Sequence, residues 1–338
     1  MTEKTMLAGR LTISTREFAL ERIPVPAPAA GEVLVKVGAA GVCLSDAHLI
    51  DGILTPSLLQ GDVVTLGHEV AGTVDSLGAD VAGWQPGDRV IVKAGISRGS
   101  EVYTMGVDYD GGWAEYLVAP QENLVAIPDD MPFEQAAIIP DAVSTPWSAI
   151  DHTAQVRPGQ AVGVWGVGGL GAHAVQLLRL AGAAPIIAVD PLAEARGRAA
   201  EFGADIVLDP SDADFRQQMR DATRGTGLDV AFDFAGVDAV RAQAISSLGV
   251  GGKLVLVGLS GTPVTIANSN KFTHMRKSIL GHYGSEEHHV EQLVGLVAQG
   301  RVEFSRSVSG RVPLAQAKDA IRMLERKEGN PIRLVLIP

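Results

Sequence analysis

The sequence predicts an α/β protein of two domains, a β-rich unit first and a doubly wound parallel sheet after it. Three observations carry this. The 338 residues exceed what one hydrophobic core usually organises. The opening third is broken by glycine into short β-rich runs: EVLVKVGAAGV, HEVAGTVDSLG, DRVIVKAG, GGWAEYLVAP and NLVAIP. Beyond residue 150 strands alternate with helix-length segments, beginning at AVGVWGVGGLGAHAVQLLRLAGAAPIIAVD.

Taken in order, PVPAPAAG (24–31) is a proline-rich loop leading into the first long strand-like run. Runs at this spacing, with turn residues between them, predict a mostly antiparallel unit over 1–149. In HAVQLLRL the apolar Val175, Leu177 and Leu178 recur at helical spacing, and Gly182 is a stop signal. A helix in AEARGRAAEFGA, a strand in DIVL, a helix over 211–223, the strand DVAFDFAG, a further helix and KLVLVGL follow. They complete a parallel sheet with helices on both faces over 150–280. After that the pattern turns irregular, with a helix near 288–299 and a final strand in IRLVLIP. The segment 281–338 is therefore expected to return to the first domain.

Composition narrows the function. Hydrophobic residues at 46% and charged residues at 20% describe an ordinary globular protein. A formal charge of −11, without any basic block, leaves nothing to neutralise phosphates, so a nucleic-acid partner is not expected. MTEKTMLAGRLTIST lacks the apolar core of a signal peptide, and LAGAAPIIAV is too short and too punctuated to span a bilayer. No membrane partner is expected, and with a single cysteine the cytoplasm is the expected compartment.

GVWGVGGLG places Gly166, Gly168 and Gly171 in the spacing G-x-G-x-x-G, after a strand and at the start of a helix. Gly166 makes the tight turn, Gly168 lets the backbone approach a pyrophosphate, and Gly171 lets helix and sheet pack closely. Gly169 and Leu170 complete the loop, and the helix N-terminus faces the phosphates. Asp190 ends the next strand, where a carboxylate accepts from the adenosine ribose hydroxyls and repels a 2′-phosphate. NAD is thus the expected cofactor. The alternative role for Asp190 is to cap its own turn, while Arg196 and Arg198 read as residues of a helix face. Cys43 cannot form an internal disulfide; it is a buried hydrophobe, a nucleophile or a metal ligand.

GHEVAGTVDSLGADV (67–81) reads G-H-E-x2-G-x5-G-x2-V, and with GVCLSDAH (41–48), PGDRV (86–90), GGWAEY (111–116) and the glycine loop it resembles the zinc-containing medium-chain alcohol dehydrogenases along essentially the whole chain. The resemblance implies a GroES-like catalytic domain, an inserted Rossmann domain, a cleft between them, and zinc-assisted hydride transfer between an alcohol and a nicotinamide. It carries the zinc ligands onto Cys43, His68 and Asp141, where many relatives have cysteine at the third place. Three unlike ligands leave a fourth position open, as catalytic zinc requires. It makes Glu69 a neighbour or transient ligand of the metal. Asp46 becomes the carboxylate that orients the zinc-binding histidine, and Arg333 the partner of Asp46 beside the cofactor. Ser45 and His48 match a relay that takes the alcohol proton, through the cofactor ribose, to solvent. Thr145 would touch the nicotinamide.

Two departures stand out. Relatives that bind a structural zinc use four cysteines after the GDRV strand, whereas IVKAGISRGSEVYTMGVDY holds none, so one catalytic zinc and no structural zinc are expected. Ala94 lies near where relatives carry a bulky aromatic, which leaves space for a branched or cyclic secondary alcohol or its ketone. Ile53, Leu54, Leu58 and Leu59 would form an apolar lip or anchor their loop. The resemblance also implies a homo-dimer or homo-tetramer paired through Rossmann-domain edge strands. The competing readings are a zinc-independent NAD(P)-dependent enone or quinone reductase, and a dinucleotide-binding protein without turnover. The Cys–His–Glu set argues against the first, the Ser45/His48 pair against the second.

Overall fold

The computed structural model describes residues 4–99 and 101–338. They form two compact units, one from residues up to Ala142 together with Val290–Pro338, the other from Val143–His289.

The first unit is built around the strand Glu32–Val42. It pairs antiparallel with Val70–Leu77, with Tyr116–Pro120 and, from the far end of the chain, with Arg333–Ile337. Neighbours on both sides and cover on both faces explain why EVLVKVGAAGV is apolar nearly throughout instead of alternating. Val33, Val35, Val37 and Val42 pack with Val70, Val90, Leu334 and Leu336 in one buried cluster. The helix Ala317–Glu325 lays Ala317, Ala320, Ile321 and Leu324 on this core, one face of a helix by their spacing. A separate antiparallel sheet joins Glu17–Pro24, Thr5–Thr12 and Val63–Thr65.

The interval without cysteines forms a hairpin, Gly95–Arg98 against Glu101–Thr104. Polar side chains tie its base down. Asn123 Nδ2 donates to the Gly95 carbonyl at 2.9 Å, and the Asp108 carboxylate accepts from the backbone N–H groups of Thr104 and Leu58.

In the second unit six parallel strands lie in the order Ile206–Leu208, Ile186–Val189, Val162–Trp165, Leu228–Asp233, Leu248–Leu256 and Ser278–Gly281. The order reverses at Val162–Trp165, the point where such sheets bind ligands. The helix Gly171–Leu180 follows that strand and ends where Gly182, at φ 79°, leaves the helical region. The helix expected over 211–223 is shorter, Phe215–Ala222. Asp209 accepts from the Ser211 N–H and hydroxyl, a local turn that competes with helix.

The unit boundaries fall at 142/143 and 289/290, where the sequence reading had 149/150 and 280/281. The first shift has a packing cause. Ser144–Ser148 is a fully buried helical turn that packs against Gly171–Leu180, so it belongs with the parallel sheet although the glycine-rich texture starts later. Among the described residues no helix is long and apolar enough to cross a membrane.

Arg311, on the returning strand Val308–Pro313, pairs with Glu134 at 2.7 Å. The Arg311 hydrogen bond holds the Glu134 carboxyl below its ordinary value of 4.5. A lowered folded-state value stabilises above the unfolded one and is lost as pH falls through it. Arg311→Ala should therefore cost about 0.5 kcal/mol near neutral pH, since the arginine is exposed, and almost nothing near pH 3. Urea unfolding of both proteins at the two pH values checks this.

Candidate metal centre and dinucleotide loop

Register brings the polar residues together. Ala40 pairs with Val70 and Val42 with Leu334, so the end of Glu32–Val42 meets the beginnings of its two antiparallel neighbours. Cys43 follows the first strand, His68 and Glu69 precede the second, and Arg333 opens the third. Asp141 arrives from a helical turn, Ile139–Val143.

Cys43 caps the short helix Leu44–Ile50. Its N–H donates to Asp46 Oδ2 at 2.9 Å, which fixes the fully buried Asp46 and leaves Oδ1 3.5 Å from His68 Nδ1. The imidazole is thereby held with Nε2 turned to the other groups: 3.4 Å from Asp141 Oδ2 and 3.4 Å from Ser45 Oγ. Cys43 Sγ lies 3.5 Å from the same Asp141 oxygen. His48 sits three residues after Ser45 on one face of the helix.

Glu69 Oε1 accepts from the Ala142 N–H at 3.0 Å and pairs with Arg333 Nη2 at 2.8 Å. Its other oxygen is buried without a hydrogen-bond donor. Arg333 is thus not the partner of Asp46. It is buried, donates to the Val42 carbonyl, is ion-paired with Glu69 and lies 3.7 Å from Asp141, because its strand starts beside Val42 and not beside the capped helix.

These residues fit a metal. One ligand atom from each of Cys43, His68, Glu69 and Asp141 lies within 4.8 Å of the others. Zinc bonds of about 2.0–2.3 Å place tetrahedral ligand atoms about 3.3–3.8 Å apart, the range of the contacts to Asp141. Charge agrees. The centre gathers a thiol and the carboxylates of Asp46, Glu69 and Asp141 against one permanent cation, Arg333. Such a buried surplus needs protons or a further cation. Burial pushes the Glu69 carboxyl well above its ordinary range against the pull of Arg333. Burial would also strip His68 of its proton, but Asp46 and Asp141 reverse this and raise it well above its ordinary value. Burial raises the Cys43 thiol too, yet Arg333 and His68 bring it below its ordinary value.

Sequence reasoning missed two supports. Gly41 leaves room for Glu69: a Cβ there would lie 1.8 Å from Oε2. Trp113, wholly buried, donates to the Gly41 carbonyl at 2.9 Å and fills the space beside Gly67, whose φ of 95° turns the chain into His68. The glycine was visible in the motif; its opposite number was not.

In the second unit Gly166 has φ 84°, a Cβ on Gly168 would meet open space, and one on Gly171 would lie 1.8 Å from the Gly166 carbonyl oxygen. Turn, approach and close packing thus fall on the three glycines in that order. Asp190 accepts from the N–H groups of Val167 at 2.8 Å and Leu192 at 2.9 Å. It does cap its turn, yet a carboxylate accepts about four hydrogen bonds, which leaves capacity for a ribose. Arg196 and Arg198 fold back onto this loop, Arg196 to the carbonyls of Asp190 and Pro191 and to Asp209, Arg198 to the Val167 carbonyl. His173 Nδ1 donates to the Gly169 carbonyl at 2.7 Å, a further brace unseen in the sequence. Thr145 lies buried on Ser144–Ser148.

A second cluster, Asp151, His288 and His289, also brings possible ligand atoms together. There the Glu286 N–H donates to His289 Nδ1, so the ring proton sits on Nε2, which faces Asp151 at 3.4 Å. That nitrogen has no lone pair to offer, and the cluster is a hydrogen-bonded group as it stands.

Residues 169–299 match the zinc-binding dehydrogenase family and residues 29–129 the alcohol dehydrogenase GroES-like domain. An NAD-dependent alcohol dehydrogenase of Sulfurisphaera tokodaii is 30% identical, over 98% of this chain and 100% of its own. The alcohol dehydrogenase of the hyperthermophilic archaeon Aeropyrum pernix is 31% identical, with a TM-score of 0.87 over 98% of this chain and 100% of that one. The 2R,3R-butanediol dehydrogenase of Bacillus subtilis is 26% identical, with a TM-score of 0.90 over 98% and 99%.

Gly41→Ala should drive Glu69 off Arg333 and Ala142. We expect about 1–3 kcal/mol of lost stability from the overpacked strand end. A fall in retained zinc should accompany it, read by thermal unfolding and elemental analysis of one sample.

Proposed function

This chain belongs to the zinc-containing medium-chain dehydrogenases, and on that premise we propose that it is an NAD-dependent zinc alcohol dehydrogenase, acting on a secondary alcohol or the matching ketone. The observation that carries the reading is the convergence of Cys43, His68 and Asp141, three unlike donors at metal-ligand separation, in a site short of positive charge.

Cys43, His68 and Asp141 would hold one zinc and leave a fourth position for the substrate oxygen. Bound there, the metal supplies Lewis acidity that draws electron density from that oxygen, so its proton leaves near neutral pH. Asp46 keeps the His68 proton on Nδ1 and the Nε2 lone pair toward the metal. Ser45, beside His68 Nε2, takes the alcohol proton, with His48 one turn on as the next group toward solvent. Arg333 holds Glu69 by one oxygen, and the other, buried without a hydrogen-bond donor, would remain available to a bound metal.

NAD would supply the hydride acceptor, and the loop from Gly166 through Gly168, Gly169 and Leu170 to Gly171 would receive its pyrophosphate on backbone N–H groups. Thr145 would line the nicotinamide. Asp190 favours the unphosphorylated ribose, and Arg196 is already committed to Asp209. Secondary alcohols fit the small Ala94 and the butanediol enzyme's likeness. Leu54 and Leu59 pack against the core and anchor their loop, while Ile53 stands 67% exposed and is the one free to meet substrate. Ser278–Gly281 ends the parallel sheet and offers an edge for a second copy in a homo-dimer or homo-tetramer. A thiolate ligand suits a reducing cytoplasm.

Protein dialysed without chelator should carry about one zinc per chain, as a single three-ligand site requires. NAD reduction by secondary alcohols should vanish on chelation and return with added zinc. Undiminished turnover by metal-free protein would overturn the reading. Ala94→Trp should lower kcat/KM for cyclohexanol about ten-fold more than for ethanol, since only the ring needs the volume that the indole would fill. Equal losses would remove the argument for bulky substrates.

A further inference from the structure

His282 follows the edge strand Ser278–Gly281 and uses both ring nitrogens. Nε2 lies 3.0 Å from the Thr145 carbonyl oxygen and Nδ1 2.8 Å from Thr153 Oγ1. A carbonyl only accepts, so Nε2 carries the hydrogen and donates. Burial holds this imidazole below its ordinary value of 6.5, which makes the ring neutral near pH 7. Nδ1 then accepts from the Thr153 hydroxyl.

The two threonines lie on one helical run that needs such a brace. Ser144–Ser148 is α-helical and Ala149–Ala154 is π-helical, and at the junction the Ala149 N–H is shared between the Thr145 and Pro146 carbonyls. A change of helix type leaves carbonyls with weakened partners. His282 adds its own donor to the Thr145 carbonyl, which shares the Ala149 N–H with Pro146. At the end of the run the chain turns through Gln155 at φ 54°, with Lys253 Nζ bonded to the Ala154 carbonyl at 2.7 Å.

We propose that His282 is a positioning residue of the cofactor site: by gripping the Thr145 carbonyl and the Thr153 hydroxyl it sets the orientation in which the Thr145 side chain receives the nicotinamide. This rests on the alcohol dehydrogenase reading and on Thr145 lining the nicotinamide. Its side chain acts through the backbone and the hydroxyl it holds.

The test compares wild type, His282→Leu, His282→Gln and Thr153→Val for NADH affinity by fluorescence, KM for NAD, KM for the alcohol, kcat, zinc content and thermal midpoint. Loss of the bond to Thr145 should weaken NADH binding and raise KM for NAD about ten-fold in His282→Leu. KM for the alcohol should move less, and zinc content should not change. Glutamine, whose amide nitrogen reaches the place of Nε2, should restore most of the affinity. Thr153→Val, on a half-buried side chain, should give a smaller effect of the same kind. It keeps the proposal testable should the leucine variant fold poorly.

A lowered midpoint with wild-type NADH affinity and wild-type KM for NAD, in whichever variant folds, would make His282 a structural brace only and overturn the proposal. Wild-type protein that neither binds NADH nor reduces NAD would instead bring down the alcohol dehydrogenase reading itself.

Discussion

Backbone pairing at one end of the strand Glu32–Val42 decides where Cys43, His68, Glu69 and Arg333 of the candidate metal centre fall. Val42 faces Leu334 and Ala40 faces Val70, so Cys43, Glu69 and Arg333 emerge within a few ångströms of one another although up to 290 residues separate them along the chain. Slipping either partner by one residue would turn Glu69 or Arg333 to the opposite face and leave a buried charge alone. The packing around the joint leaves no slack. Gly41 has no side chain because Glu69 occupies that space, and Trp113 closes the other side with its indole N–H on the Gly41 carbonyl. The valines of the core supply stability, and their pairing supplies geometry.

The two ligand sites work on opposite electrical principles. Around Cys43 the protein collects negative groups in excess of its single arginine, an arrangement that destabilises the empty fold and favours a divalent cation. Around Gly166 it collects backbone N–H groups and a helix N-terminus, an arrangement suited to a phosphate that brings its own charge. The arginines near that loop turn their N–H groups to carbonyls, and Arg196 is ion-paired with Asp209. An acidic chain of net −11 can therefore still receive a dinucleotide, because attraction comes from oriented peptide dipoles.

Much of this was legible in the sequence. The glycine loop, Asp190 and the parallel sheet follow from local pattern, because a strand, a turn and a helix that adjoin in sequence also adjoin in space. Cys43, His68 and Asp141 could be named only through resemblance, since nothing local in a lone cysteine or in IIPDAVST announces a ligand. The partner of Arg333 was misread for the same reason: Asp46 and Glu69 both belong to the centre, and only the register shows which carboxylate the arginine meets. His173, His282 and Gly41 were invisible as supports. Their value lies in a carbonyl or carboxylate contributed from elsewhere, which periodicity cannot report. The unit boundaries slipped because a buried helical turn, Ser144–Ser148, carries the texture of neither neighbour.

The strand Arg333–Ile337 reaches the central sheet only after the whole parallel-sheet unit has intervened in the chain. During synthesis the flank of Glu32–Val42 that it will cover stays open while the ribosome makes that unit. Until Arg333 arrives, Glu69 sits without its counter-charge, and an early metal ion would meet a thiol, an imidazole and two carboxylates with nothing to restrain them. The order of manufacture makes the arginine the last part fitted and the latch on the finished centre.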